Sequence, residues 1–262
     1  MKKLDKSQFN SWKDYYYQYQ HSLASDYYIP FLKDNNVDIN GKDILEIGCG
    51  NGGFIGAFSQ YSDKCVGFDL KDLDWKNEKV KYYNLNVFDE NLTEKIESKF
   101  DLIILRDVIE HLDNGMMDSL FDQVALLSKE NTLILATFPP FYSPFGLHQQ
   151  VLLNNFLRFV PYLSLLPKGL VKILTNGKSH KKENVDELLS LYDSKTSIGS
   201  FYRLINKKRC SVIDKKFFHI RPSHQIRYGL KTMESKVAWR IPIIREMLIT
   251  GTVFLINKKG PQ

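Results

Sequence analysis

A chain of 262 residues, 43% hydrophobic and 13% aromatic, can bury one α/β core with additions and leaves little room for two independent domains. Its 36 Lys and Arg against 30 Asp and Glu give +6, a mild excess that a solvated surface explains, an anionic substrate or acidic membrane face being the sharper reading. Cys49, Cys65 and Cys210 form no C-x-x-C pair, no apolar signal core follows Met1, and no run reaches the roughly 18 apolar residues of a spanning helix, which argues against a disulfide framework or zinc site and for a reducing, cytoplasmic setting.

In chain order, Trp12, Tyr15, Tyr16, Tyr19 and Leu23 fall on one helical face, and Ile29-Pro-Phe-Leu32 fits the entry to a second helix. Asp43-Ile-Leu-Glu-Ile-Gly-Cys-Gly-Asn-Gly-Gly-Phe54 reads as strand, tight turn and helix, the helix running from Gly52 to about Gln60. Without side chains at Gly48, Gly50 and Gly52, the turn backbone can take positive φ and approach a nucleoside or nucleotide at the helix N-terminus. Gly48, Gly50 and Gly53 also satisfy the dinucleotide pattern G-x-G-x-x-G, but Glu46 would repel a pyrophosphate and suits a cationic amino group.

Lys64 to Leu70 is a second strand ending in Asp69, roughly 20 residues after the turn, where a carboxylate meets ribose hydroxyls. The polar stretch Lys71 to Glu78 holds no long helix, and Val80 to Leu85 is a third strand, followed by Asn86-Val87-Phe88. Lys99 to Leu105 is a fourth, running into Arg106-Asp-Val-Ile-Glu-His-Leu112. An amphipathic helix over Met117 to Leu127 and a fifth strand over Asn131 to Thr137 complete an alternation that predicts a parallel, doubly wound sheet.

The pattern E-x-G-x-G-x-G from Glu46 resembles motif I of class I S-adenosylmethionine-dependent methyltransferases. Phe100-Asp-x-Ile followed by Asp107-Val-Ile-Glu-His-Leu112 resembles motif IV and its sequel in the branch that includes the quinone-biosynthesis O-methyltransferases. The resemblance covers Lys42 to Thr137 and implies S-adenosylmethionine as cofactor. It implies that Gly48, Cys49, Gly50 and Gly52 cradle the methionine part, that Glu46 orders its amino group, and that Asp69 and Leu70 adjoin the ribose. Asn86 and Val87 would meet the adenine, with Asp89 the competing choice, and Arg106 and Asp107 would stand at the ligand end of strand four. Tyr16, Tyr19 or His21 of the N-terminal segment would cap the pocket. The implied fold is α/β and Rossmann-like: a seven-stranded, mostly parallel sheet whose last strand inserts antiparallel beside the sixth. Residues 1–39 form a helical cap, 40–137 the cofactor core, 138–200 a helical lid inserted after strand five, and 201–262 a helix with strands six and seven.

From Phe138 the prolines prohibit one continuous helix, and up to Leu174 there are three cations, Arg158, Lys168 and Lys172, and no acid. This stretch reads as a packed helical subdomain, as a greasy lid over a hydrophobic acceptor, or as a surface (138–174) for peripheral contact with the inner membrane face. Lys178 to Lys182 is a charged linker, Val185 to Ser200 a short helix and turn, and Phe201 to Asn206 the end of a further helix. Cys210 to His219 and Met247 to Ile256 are strands six and seven. Between them, Arg221, His224, Arg227, Lys231 and Arg240 mark a second substrate-side candidate or a solvated basic face.

Methyl transfer from a sulfonium needs alignment and exclusion of water more than a large catalytic apparatus. An oxygen acceptor benefits from a base, for which His148 is preferred and His111 comes second. Asp107, Glu110 and His111 match an arrangement linked to a divalent metal in some quinone methyltransferases, but the structural reading is preferred and no metal is expected. The leading function is O-methylation of a small-molecule acceptor, hydrophobic or glycan-linked. An NAD-dependent oxidoreductase and a non-catalytic cofactor-binding partner are the alternatives. No nucleic-acid role is expected, because Phe138-Pro-Pro-Phe141 only mimics an N/D-P-P-Y/F motif and no aromatic-basic stripe is present.

Overall fold

The computed structural model describes residues 1–71, 77–177 and 180–258. Ser11 opens α1 (Trp12–Leu23) by accepting the Asp14 N–H on its hydroxyl at 3.1 Å. The helix buries Tyr15, Tyr19 and Leu23 and leaves Trp12 half in solvent, then passes through a π-helical turn, Ala24–Tyr28, into α2 (Ile29–Asp34). Next come β1 (Ile44–Ile47), α3 (Gly53–Phe58), β2 (Cys65–Asp69) and β3 (Val80–Asn84). They are followed by α4 (Leu92–Ile96), β4 (Phe100–Arg106), α5 (Asn114–Leu126) and β5 (Ser128–Phe138).

After β5 the chain breaks into short pieces, as its prolines require: α6 (Gln149–Leu152), two 3-10 turns at Phe156–Phe159 and Leu163–Leu165, α7 (Lys168–Thr175) and α8 (Lys182–Ser194). They share an apolar core built around Leu147, Leu153, Leu163, Val171, Leu188 and Tyr192. The Tyr192 hydroxyl donates to the carbonyls of Leu163 and Leu166, and Gln149 Nε2 to those of Pro144 and Val160, so buried polar groups tie the pieces together. The chain closes with α9 (Ile198–Lys207), β6 (Cys210–Ile220), α10 (Pro222–Tyr228), β7 (Met233–Glu234), α11 (Pro242–Leu248) and β8 (Gly251–Lys258).

The sheet runs β3-β2-β1-β4-β5-β8-β6-β7. The first five strands are parallel, and β8 lies antiparallel between β5 and β6. Order reverses between β1 and β4, so the crevice for a ligand opens at their carboxyl ends. Eight strands stand where seven were expected, because Met233–Glu234 pairs with the edge of β6 over too few residues to show an alternating pattern. The last strand begins at Gly251 and not at Met247, since Pro242 starts a helix that runs to Leu248. Among the described residues no helix is long and apolar enough to cross a membrane. The readings of Lys71 to Glu78 and Lys178 to Lys182 lie partly outside the described residues.

Alternation along β1 decides what reaches the crevice. Leu45 and Ile47 enter the core on one face, while Ile44 and Glu46 point to the other, against α1 and α3. There α1 lies so close to α3 that a Cβ on Gly53 would stand 2.3 Å from the Tyr17 carbonyl oxygen.

Candidate active site

The turn after β1 holds Gly48 and Gly50 at φ 72° and 55°. A Cβ on Gly48 would meet Val108 Cγ2 at 2.5 Å, whereas one on Gly50 would meet nothing within 4 Å. Gly48 is thus fixed by close packing and Gly50 leaves its backbone bare toward a cavity of about 480 Å³. Asp69, at the end of β2, accepts the Gly50 N–H on Oδ2 at 2.9 Å and the Lys71 N–H on Oδ1 at 3.0 Å. Each oxygen keeps a lone pair for a ligand.

Of the cofactor candidates, Tyr16, Gly48, Gly50, Asp69, Arg106 and Asp107 line this cavity, and Tyr19 joins them from α1. Glu46 lies beneath it. Its buried carboxylate accepts the Ile55 N–H at 3.0 Å and so serves the first turn of α3, whose N-cap Gly52 has no side chain to do so. Its other oxygen faces Arg106 Nε at 3.5 Å. Burial pushes the Glu46 carboxyl up to about 7 against the pull of Arg106. Arg106, stacked over Phe54 at 5.0 Å, is therefore the side chain that this pair presents to the cavity.

The other candidates stand elsewhere. Cys49 is buried with its thiol pushed up by burial, Gly52 is the helix cap, and Leu70 is exposed. Asn86 is exposed and accepts the Phe88 N–H on its own side chain, Val87 packs into the core, and Asp89 pairs with Lys95. His21 contacts Gln60 outside the cavity wall.

Asp107, at φ 53°, receives hydrogen bonds from Thr137 Oγ1 at 3.3 Å and Arg106 Nη1 at 3.4 Å, with Arg221 Nη1 at 3.9 Å. Burial would raise its carboxyl, but Arg221 and Arg106 hold it below the usual carboxylate range. His148, also at positive φ, approaches the short turn Ile109–His111: its ring stands edge-on to His111 at 5.8 Å, and its Nε2 lies 3.8 Å from Glu110 Oε1. Burial, reinforced by His111 and Arg221, lowers the His148 imidazole to about 3, so it is neutral at physiological pH. Burial and the Asp107 charge push Glu110 well up. Neither Glu110 oxygen nor His148 Nε2 has a hydrogen-bond partner. One ligand atom from each of Glu110, His111 and His148 lies within 4.8 Å of the others, a set that could hold a divalent transition ion.

Sequence spacing does not bring Glu110 and His148 together, because their meeting depends on how the α6–α8 segment packs. Ser194 donates to the Glu110 carbonyl at 2.5 Å and Thr196 to that of Ile109 at 3.3 Å, pinning the turn from the far end of α8. The stretch after β6 also supplies wall: Arg221, His224 and Arg227 line the cavity, Arg227 lying over the Tyr19 ring at 5.2 Å. A sulfonium nucleoside fits the cofactor half, where a bare glycine backbone, a carboxylate with spare lone pairs and an aromatic wall from α1 meet.

Residues 16–164 match the methyltransferase domain family. A Methanocaldococcus jannaschii protein whose name proposes it to be a protein N5-glutamine methyltransferase is 28% identical over 165 residues, 61% of this chain and 75% of that one. Among solved structures, an S-adenosylmethionine-dependent methyltransferase from Clostridium acetobutylicum superposes with a TM-score of 0.53 at 13% identity, over 92% of each chain. Magnesium protoporphyrin IX methyltransferase from Synechocystis, with bound S-adenosylhomocysteine, gives 0.51 at 12% identity, over 99% of this chain and 90% of that one. Likenesses at such identity establish the fold.

Proposed function

We propose, from the premise that the chain belongs to the methyltransferase domain family and uses S-adenosylmethionine, that it methylates a small-molecule acceptor, hydrophobic or glycan-linked, at oxygen. With the family goes the oxidoreductase alternative. One observation carries the acceptor reading: the cavity that begins at Gly50 and Asp69 continues without a break to His111, His148, Val151 and Leu152 of the same chain. An acceptor there lies between the cofactor wall and an apolar cover supplied by the α6–α8 segment, with room for a small group.

When bound, the cofactor supplies an electrophilic methyl group on a sulfonium. The chain's part is to hold the reacting atoms in line and exclude water. Asp69 and the glycine turn position the nucleoside, and Arg106 and Asp107 fix the floor between the two halves. His148 Nε2, without a protein partner, is placed to take the proton of an acceptor hydroxyl as the oxygen is methylated; burial keeps the ring neutral but weakens it as a base, and the Asp107 charge offsets part of that loss. Glu110 Oε1 lies 3.8 Å from the same nitrogen, beyond hydrogen-bond reach but near enough for an ionised carboxylate there to favour the imidazolium that forms.

Label transfer tests this. The protein is incubated with methyl-labelled S-adenosylmethionine and with separate small-molecule, lipid and protein fractions of a cell extract. Label in an organic or glycan-bearing small molecule, stable to mild base as an ether is, supports the reading. Label confined to protein glutamine would replace it with the activity proposed for the Methanocaldococcus relative.

A further inference from the structure

The α6–α8 segment presents an outward surface that the cavity does not use. In the Phe156–Phe159 turn, Leu157 is buried while Phe156 and Phe159 are 72% and 71% exposed. Along α7, Val171 and Thr175, four apart, face the segment's core, while Leu170, Ile173 and Leu174 form an outward stripe, with Ile173 72% exposed. A helix on a water-facing surface would carry polar residues there. The Tyr162 hydroxyl, on the stretch that links the turn to α7, donates to the Met247 carbonyl of α11 at 3.3 Å, and Ile243 on that helix is 77% exposed. Large exposed apolar side chains so frequent within one short segment point to an interaction site.

Charge says which partner. Residues 138–174 contain no acid, Lys172 is exposed on α7 without an ion pair among the described residues, and Arg158, half-buried, lies over the Phe159 ring at 5.2 Å while its Nη2 donates to the Gln150 carbonyl at 3.1 Å. Lys168 is offset by Asp193. A second copy of the chain would bring like charges together in a two-fold contact. An acidic lipid surface accepts both features, apolar side chains at the acyl boundary and cations at the head groups.

We propose that this face docks the protein on an anionic bilayer, with Phe156, Phe159, Leu170, Ile173 and Leu174 entering the interface and Arg158 and Lys172 meeting head groups. The helices lie in the plane of the interface. Val151, half-exposed and part of the cavity wall, stands on the same α6–α8 segment five residues before Phe156, so docking brings the cavity mouth toward the lipid surface. Only this last consequence, presentation of a membrane-borne acceptor, rests on the methyltransferase reading.

The test is sedimentation of the whole protein with vesicles of phosphatidylcholine alone and with about one-third phosphatidylglycerol. Binding to the anionic vesicles, weakened by salt, is expected. The triple variant Phe156→Asp, Phe159→Asp, Ile173→Asp should partition at least about tenfold less, one tenfold step being about 1.4 kcal/mol. Because these side chains project into solvent, the variant should keep its S-adenosylhomocysteine affinity, which shows that it folds. Lys172→Glu should weaken binding to anionic vesicles alone. No binding to either vesicle, or unchanged binding of the triple variant, overturns the proposal. So does a dimer in sedimentation velocity that the triple variant abolishes, which would assign the face to a second copy.

Discussion

Gly48 and Gly50 share one turn and positive φ but differ in what a methyl group would meet. Gly48→Ala adds a clash with Val108 to backbone strain and is expected to lower unfolding free energy by about 2–3 kcal/mol in urea titrations. Gly50→Ala carries the strain alone, about 1 kcal/mol, but projects its methyl into the cavity, so S-adenosylhomocysteine affinity should fall more than stability does. His148→Gln is expected to reduce methyl transfer by about 10²–10⁴-fold with cofactor affinity unchanged, and His111→Gln to reduce it much less. Glu46 gives a pH signature. Its folded-state carboxyl is raised from 4.5 to about 7, so the folded chain binds this proton more tightly than the unfolded one. That contribution is fully present below about 4.5 and is lost as pH rises through about 7. Relative to Glu46→Gln, the wild type should therefore lose on the order of 2 kcal/mol between about pH 5 and pH 8. A difference independent of pH would show that Arg106 keeps the carboxylate ionised throughout.

The contact of α1 with α3 rests on glycine. Gly53→Ala would drive α1 away from the α3 N-terminus, costing about 1–3 kcal/mol and moving Tyr16 and Tyr19 off the cavity wall. In α7, Gly169→Ala meets nothing and should stabilise by about 0.5–1 kcal/mol. Legibility in the sequence followed the same division between local and remote. Most of the parallel strands could be read because they are short apolar runs buried in the sheet, β3 at the edge being the half-exposed exception, and the turn at Gly48 to Gly52 because its spacing is local. The orientation of Glu46 was harder, since it depends on strand alternation and on α3 lacking a capping side chain. Asn86 satisfies itself within its own loop, which no spacing rule reveals. Met233–Glu234 is a strand only because β6 offers it an edge. The helices after β5 were legible as broken by proline but not as to where each piece packs, because their core is assembled from residues as distant as Leu147 and Tyr192.

Three separate returns of the chain meet over the carboxyl ends of the strands. The turn after β4 brings Asp107 and Glu110, the segment after β5 brings His148, and the one after β6 brings Arg221 and Arg227. Polar contacts lock them: Arg221 to Asp107, and Ser194 and Thr196 to the backbone of Glu110 and Ile109. In the proposed reading the acceptor half is thus a product of the whole fold, while the cofactor half draws on the local β1-turn-α3 and β2 elements, with α1 and the end of β4 closing it. The most direct measurement is calorimetric titration of S-adenosylhomocysteine into the wild type and Asp69→Ala. The expected result is one ligand per chain, with affinity about 10–100-fold weaker in the variant, as loss of a charged hydrogen-bond acceptor of about 1.5–3 kcal/mol requires. Equal affinity in a folded Asp69→Ala protein would contradict the assignment of this cavity to the cofactor.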